Sequence, residues 1–196
     1  MTTSPRRIGT ADSKSRAQLL DAAEQLLVEE GYAAVTSRRV AARAGLKPQL
    51  VHYYFRTMDD LFVEVFRRQA DANLAALDTA VAKDGSLRHL WRLNAGTSGA
   101  AFTLEFVALA NHRKAIRAEL ASYAERYRAA QLAALTNALR ASGAPERVPP
   151  IVALVLMTGV TQVIGLEQAL GVTSGHDETL AFVEQAIAHL DAGEPL

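Results

Sequence analysis

The stretch TSRRVAARAGLKPQLVHYYF, residues 36–55, decides how the rest of the 196-residue chain is read. Thr36 is a natural N-cap, because its hydroxyl accepts from the free N–H groups of the following turn. Val40, Ala41 and Ala44 then fall at helical spacing and form a small apolar face. Gly45 stands where that helix must stop, in the left-handed conformation glycine adopts without strain. Pro48 opens a second helix at a position whose missing N–H costs nothing. Val51 and Phe55, four apart, point inward together, which leaves Gln49, Leu50, His52 and Tyr53 outside. Two short helices about a glycine turn make the helix-turn-helix pattern, whose DNA-binding versions lay the second helix in a major groove.

Arg38, Arg39, Arg43, Lys47 and Arg56 lie in or beside this pattern, and no acidic residue occurs from position 36 to position 57. A solvated helical face mixes signs, so a one-sign surface asks for an anionic partner. The imbalance runs the length of the chain. Residues 1–56 carry nine Lys or Arg against five Asp or Glu, +4, and residues 57–196 carry twelve against sixteen, −4. A basic front end on an acidic body suits a DNA-binding head carried by a second domain.

Hydrophobic residues make up 49% of the chain, with much Ala and Leu, few aromatics and six Pro, which favours an all-α fold. The absence of Cys excludes a disulfide framework and a thiolate metal site and fits a reducing, cytoplasmic setting. The first sixteen residues contain no apolar run and do not read as a signal peptide. The most apolar stretch, 151–166, is interrupted by Thr158, Thr161 and Gln162 and is too short to span a bilayer, so no membrane is expected.

Residues 1–12 read as an unstructured arm, in which Arg6 and Arg7 either reach DNA or belong to a solvated tail. Ser13 or Ser15 caps a first helix that runs to about Glu30 on a stripe of Leu19, Ala23, Leu26 and Leu27 and ends at Gly31. That helix should pack across the next two and complete a three-helix head, residues 1–56. Thr57 and Asp60 make a capping box that opens a longer helix to about position 82. A short helix follows with Leu87, Leu90, Trp91 and Leu93, capped by Ser86 and ended by the GTSG of 96–99. Helices over about 100–111, 114–141, 148–170 and 177–191 complete a predicted nine-helix fold without strands.

This layout resembles the tetracycline-repressor (TetR) family of bacterial regulators. The match is densest over 19–61: the aliphatic first helix ending in Gly31, Thr36, Val40-Ala41, Ala44-Gly45, Val51 through Phe55, Thr57 and Leu61. Where the family often has Tyr, this chain has His52; where it often has His, Tyr54; where it often has Lys, Met58. The first two exchanges keep a ring able to bond a phosphate; the third loses the side-chain contact, although the backbone N–H groups at the start of that helix can still serve an anion. The resemblance implies a ligand-responsive repressor that binds a near-palindromic operator as a homodimer. Thr36, Arg38, Lys47, His52, Tyr54 and Arg56 would hold phosphates. Gln49 and Tyr53 would read bases, with Leu50 against a thymine methyl. Tyr54, beside Val51 and Phe55, is equally placed to be half core.

The resemblance also implies that residues 57–196 form a helical ligand-binding and dimerisation domain. Its middle helices would supply a largely apolar effector site from Trp91, Phe102, Glu105, Phe106, Leu109, Tyr123, Tyr127 and Met157. Phe102, Glu105, Leu109 and His112 share one helical face. Glu105 is either a polar anchor there or a structural carboxylate paired with Arg113 or Arg117. The dimer is expected from the last two helices. Val152, Val155, Leu156, Gly159, Val163, Leu166 and Leu170 form one long stripe, and Leu180, Val183, Ile187 and Leu190 a second. A four-helix bundle about a two-fold axis would bury Leu156, Gly159, Val163, Leu166, Val183 and Ile187, unless one subunit covers the whole stripe itself.

Other function classes fare worse. The five His show no H-E-x-x-H spacing, and neither a G-x-S-x-G nor a phosphate-binding glycine loop occurs, so no catalytic residue, metal site or cofactor is expected. A helical interaction module without DNA leaves the one-sign stretch unexplained.

Overall fold

The computed structural model describes residues 14–95, 100–143 and 148–192. Among these the chain is all-α, with nine helices, one 3-10 turn and no strand. The helices are α1 Lys14–Glu30, α2 Ser37–Arg43, α3 Pro48–Tyr54, α4 Met58–Lys83, α5 Leu87–Ala95, α6 Ala100–Ala110, α7 Lys114–Ser142, α8 Pro150–Ala169 and α9 His176–Asp191; the 3-10 turn is Tyr32–Ala34. Ser15 lies inside α1 and so does not cap it, while Ser13 falls outside the described residues, as do Arg6, Arg7 and the GTSG of 96–99. Pro149 is the N-cap of α8, which therefore begins two residues later than expected, at Pro150, and α9 begins one residue early, at His176.

The chain divides into two compact units, Met1–Gln69 with Phe102–Leu120 and Ala70–Ala101 with Ala121–Leu196. This differs from a cut at position 56, because the first part of α4, most of α6 and the start of α7 pack with the head. In the first unit Leu19, Leu26 and Leu27 of α1 are buried with Val40 and Ala41 of α2, Val51 of α3, Phe55, and Leu61, Phe62 and Val65 of α4. Phe106 of α6 sits among Phe62, Phe66 and Phe102 at ring-centroid distances of 6.4, 5.2 and 4.7 Å, edge-on to the first and tilted against the others. Among the described residues four side-chain bridges clamp α1 and α7 to α4: Arg16 to Glu64 at 2.7 Å, Arg68 to Asp21 at 2.5 Å and also to Glu24, and Arg67 to Glu119 at 2.8 Å.

The second unit is built on Leu77, Leu87, Leu90, Trp91, Ala134, Leu135, Ala138, Leu154 and Ile187, drawn from α4, α5, α7, α8 and α9. Leu180, Val183 and Leu190 pack against this core. The stripe on α9 therefore faces its own subunit. Ile187, 5% exposed, is a core residue, and Val183 lies half-buried beside it. Both residues, expected at a dimer contact, thus pack in or against the core of their own unit; a helical period shows that a face is covered, not by which chain. The stripe on α8 behaves differently. Leu156, Val163, Leu166 and Leu170 are exposed, as are Val152 and Val155, and so is Phe182 of α9. By length and composition alone α8, at 20 residues, could cross a membrane, being longer than the run of 151–166 suggested.

Candidate DNA interface and effector cavity

The head is assembled by local chemistry. Thr36 caps α2, its hydroxyl accepting from the Arg39 N–H at 3.4 Å. Gly45, at φ +66°, lets the Leu46 N–H reach the Ala41 carbonyl at 2.9 Å and its own N–H reach Ala42 at 3.2 Å, the double closure that ends α2. Lys47 caps α3 and Pro48 occupies its first turn. At the start of α4 the Asp60 N–H donates to the Thr57 hydroxyl at 3.1 Å and the Thr57 N–H to the Asp60 carboxylate at 3.0 Å. These contacts fix the turn angle with almost no help from distant residues.

One face of this assembly is open. Thr36, Arg38, Lys47, Gln49, His52, Tyr53 and Arg56 are exposed, while Leu50 and Tyr54 are half-buried. The rings of Tyr53 and Tyr54 meet edge-on at 5.1 Å, and Tyr54 lies tilted against Phe55 at 6.5 Å, so Tyr54 is partly a packing residue. The positive charge is narrower than the sequence suggests. Arg39 is bridged to Glu30 and Arg43 to Glu29, each at 2.6 Å, and the Arg39 hydrogen bond holds the Glu30 carboxyl below its ordinary range. Arg38, Lys47 and Arg56 make no ion pair among the described residues. The two acids at the end of α1 lie nine and fourteen residues before the cations they neutralise, and no periodicity announces the pairing.

The eight residues expected around an effector fall into different units. Phe102, Glu105, Phe106 and Leu109 belong to the first and Trp91, Tyr123, Tyr127 and Met157 to the second. Phe102, Phe106 and Leu109 are buried in the core of the head unit. Glu105 accepts the Tyr32 N–H at 2.7 Å, which ties α6 to the turn after α1. It pairs with neither Arg113, which bonds Asp59, nor Arg117, which donates to the carbonyls of Ala110 and Asn111 at 3.2 and 3.1 Å. Gly31 makes room for this carboxylate: it sits at φ +80°, and a β-carbon there would lie 3.3 Å from Glu105 Oε2. His112 leaves the shared face, being exposed in the turn beyond α6.

In the second unit Trp91 is buried, Tyr127 and Met157 pack against the core, and Tyr123 stacks on Tyr127 at 5.5 Å. The Asn73 amide donates to the Tyr123 hydroxyl at 3.2 Å. Burial, then the neighbouring Tyr123, pushes the Tyr127 phenol up to about 12. A cavity of about 10 Å³ lies among Leu77, Leu90, Asn94, Gln131, Leu135, Leu154 and Met157. Of the expected residues only Met157 lines it. Asn94 and Gln131 escaped the sequence reading, although Gln131 is a lone amide in the apolar run AAQLAAL. An open groove of about 350 Å³ runs between α4 and α7, lined by Leu77, Asp78, Val81, Ala82, Ala130, Ala133, Ala134 and Asn137.

The head therefore presents a helix-turn-helix with an exposed cationic and amide face. The model of the bacterial regulatory proteins of the tetR family matches residues 19–65, from α1 into α4. The HTH-type transcriptional regulator BetI of Rhizobium meliloti (strain 1021) is 30% identical over 130 residues, covering 61% of this chain and 64% of BetI. The chain thus spans under two thirds of that relative's length. A TetR-family regulator structure from a Rhodococcus species superposes with a TM-score of 0.73 at 18% identity, covering 91% of this chain and all of the other. A transcriptional regulator of Saccharomonospora viridis, solved with choline, does so at 0.73 and 16%, covering 91% and 94%. Residues 19–65 thus match the DNA-binding region of the tetR-family regulators, and the chain as a whole shares its fold with solved members of that group.

Proposed function

We propose that this protein is a transcriptional repressor that binds a near-palindromic operator as a homodimer and leaves it when a small, largely apolar effector binds. The observation that carries the reading is the exposed face of α2, α3 and the residues just after α3, where Arg38, Lys47 and Arg56 stand around Gln49 and Tyr53 without acidic partners among the described residues. Arg38, Lys47 and Arg56, with Thr36, His52 and Tyr54, hold phosphates; Gln49 and Tyr53 read base edges, and Leu50 meets a thymine methyl. The two-fold axis follows from α8, whose exposed Val152, Val155, Leu156, Val163, Leu166 and Leu170 need a cover. A second copy, brought up against Gly159 and Phe182, supplies it and sets the spacing of the two heads. This accounts for the apolar face of α8 without a membrane, and the protein works in the cytoplasm, where the DNA is. No catalytic role is assigned. A choline complex in a protein of the same fold supports effector control in kind, not the identity of the effector.

The test is selection of binding sites from random duplexes, followed by electrophoretic shift over a salt series. Enrichment of a near-palindrome, with affinity falling steeply in salt, is the expected result. A protein that retains no duplex at low salt is a helical interaction module instead.

A further inference from the structure

Among the described residues of the second unit, Gln131 is the most buried polar side chain not held by an ion pair, at 7% exposure. Its Nε2 donates to Asn94 Oδ1 at 2.6 Å, and Asn94 Nδ2 donates in turn to the Leu90 carbonyl at 3.0 Å. The carbonyl oxygen of Gln131 and its second amide proton have no protein partner among the described residues. An amide so placed keeps one donor and one acceptor in hand. Both amides line the 10 Å³ cavity, and every other residue around it is Leu or Met.

We infer that the Asn94–Gln131 pair is the polar recognition element of a binding site in the second unit, one that takes an uncharged, mainly apolar molecule carrying a single amide, carbonyl or hydroxyl group. The inference rests on the effector-controlled reading above and specifies the chemistry of that effector. The cavity as it stands has room for about one water, so the molecule enters by displacing side chains. Met157 is suited to yield, being unbranched and only half-buried. The ligand's polar group then meets the free edge of Gln131 while its carbon skeleton lies against Leu77, Leu90, Leu135 and Leu154. The absence of an ionisable lining residue sets the charge preference. A carboxylate or an ammonium would lose its hydration against leucine with no counter-charge in reach. Tyr127 and Tyr123, one and two turns before Gln131 on α7, are half-buried phenols uncharged at neutral pH, while the nearer Arg128 is exposed. A cation would instead find Asp78 in the open groove between α4 and α7.

The full-length protein is titrated with three probes of one chain length, hexanamide, hexanoate and hexyltrimethylammonium, by ligand-observed NMR, and operator release is measured separately. Hexanamide should bind, the two ions should bind at least about tenfold more weakly, and Gln131→Met should weaken hexanamide by about tenfold. Asn94→Ala should weaken it as well. Both variants are checked for a cooperative melt; if neither has one, the pair is a structural bond and the inference falls. It also falls if either ion binds as tightly as hexanamide, if hexanamide ignores both substitutions, or if no probe binds. A cation whose binding is abolished by Asp78→Asn would place the site in the groove and overturn it too. Hexanamide binding without release of DNA leaves the site standing and sinks the effector reading. A charged molecule that releases DNA does the reverse.

Discussion

At the scale of single residues, the proposed interface divides into groups assigned to position DNA and groups assigned to read it. Gln49 is exposed on α3 and carries a two-way amide, so Gln49→Ala should relax base preference at one position of each half-site at a cost of ~1–3 kcal/mol. Arg38→Ala should weaken binding to every sequence alike and lower the salt slope by about one. Arg39→Ala, in contrast, removes a cation already held by Glu30, and should change the salt slope less than Arg38→Ala. Shift assays on specific and random duplexes separate the three; equal losses on both duplexes for Gln49→Ala and Arg38→Ala would refute the division. A different residue, Tyr127, gives a pH signature. Its acid form is favoured by burial in the folded state, so the unfolded chain gives up this proton first as pH rises. Stability should therefore fall from about pH 10, the ordinary phenol value, toward about 12. Ultraviolet titration of phenolate should show a late step near 12 that Tyr127→Phe removes.

At the scale of elements, α6 is the informative one. It packs Phe106 against Phe62 and Phe66 of α4 and offers Glu105 to the backbone of Tyr32, 73 residues away in sequence. Removing the acceptor leaves a half-buried N–H without a partner. Glu105→Ala should destabilise the head unit by ~1–3 kcal/mol in chemical denaturation, and Glu105→Gln, whose amide oxygen still accepts, should recover part of that. If Glu105→Ala leaves stability unchanged and alters only the effector response, the carboxylate is a ligand anchor after all. Gly31→Ala tests the same contact from the other side, since it adds a β-carbon at positive φ against Oε2.

At the scale of the whole molecule, the two apolar stripes near the end of the chain have opposite fates, and substitutions should expose this. Val163→Glu or Leu156→Glu places a charge on the open face of α8 and should give a folded monomer by sedimentation that no longer holds the operator. Ile187→Glu puts the charge into the core of the second unit and should instead abolish its cooperative melt, because a buried unpaired carboxylate is expensive. An unchanged dimer in the α8 variants would refute this interface.

The head was legible because each of its decisions is made within a few residues. Thr36 caps its own helix, Gly45 ends it, Pro48 starts the next, and Thr57 with Asp60 opens α4; the geometry of each is set by bonds spanning at most six residues. The apolar stripe of α8 was legible for the same reason, as a period in one helix. What only the tertiary structure decided are the pairings between elements. Glu29 and Glu30 take two of the five cations beside the motif, Glu105 binds the Tyr32 N–H rather than an arginine, and α9 turns Ile187 inward. Asn94 and Gln131, 37 residues apart, meet across a cavity that no spacing marks. Local hydrogen-bond chemistry and helical period act along the chain and can be read from it. Which face meets which is settled by packing the whole, where each apolar surface and each buried polar group finds the partner that the folded chain leaves available.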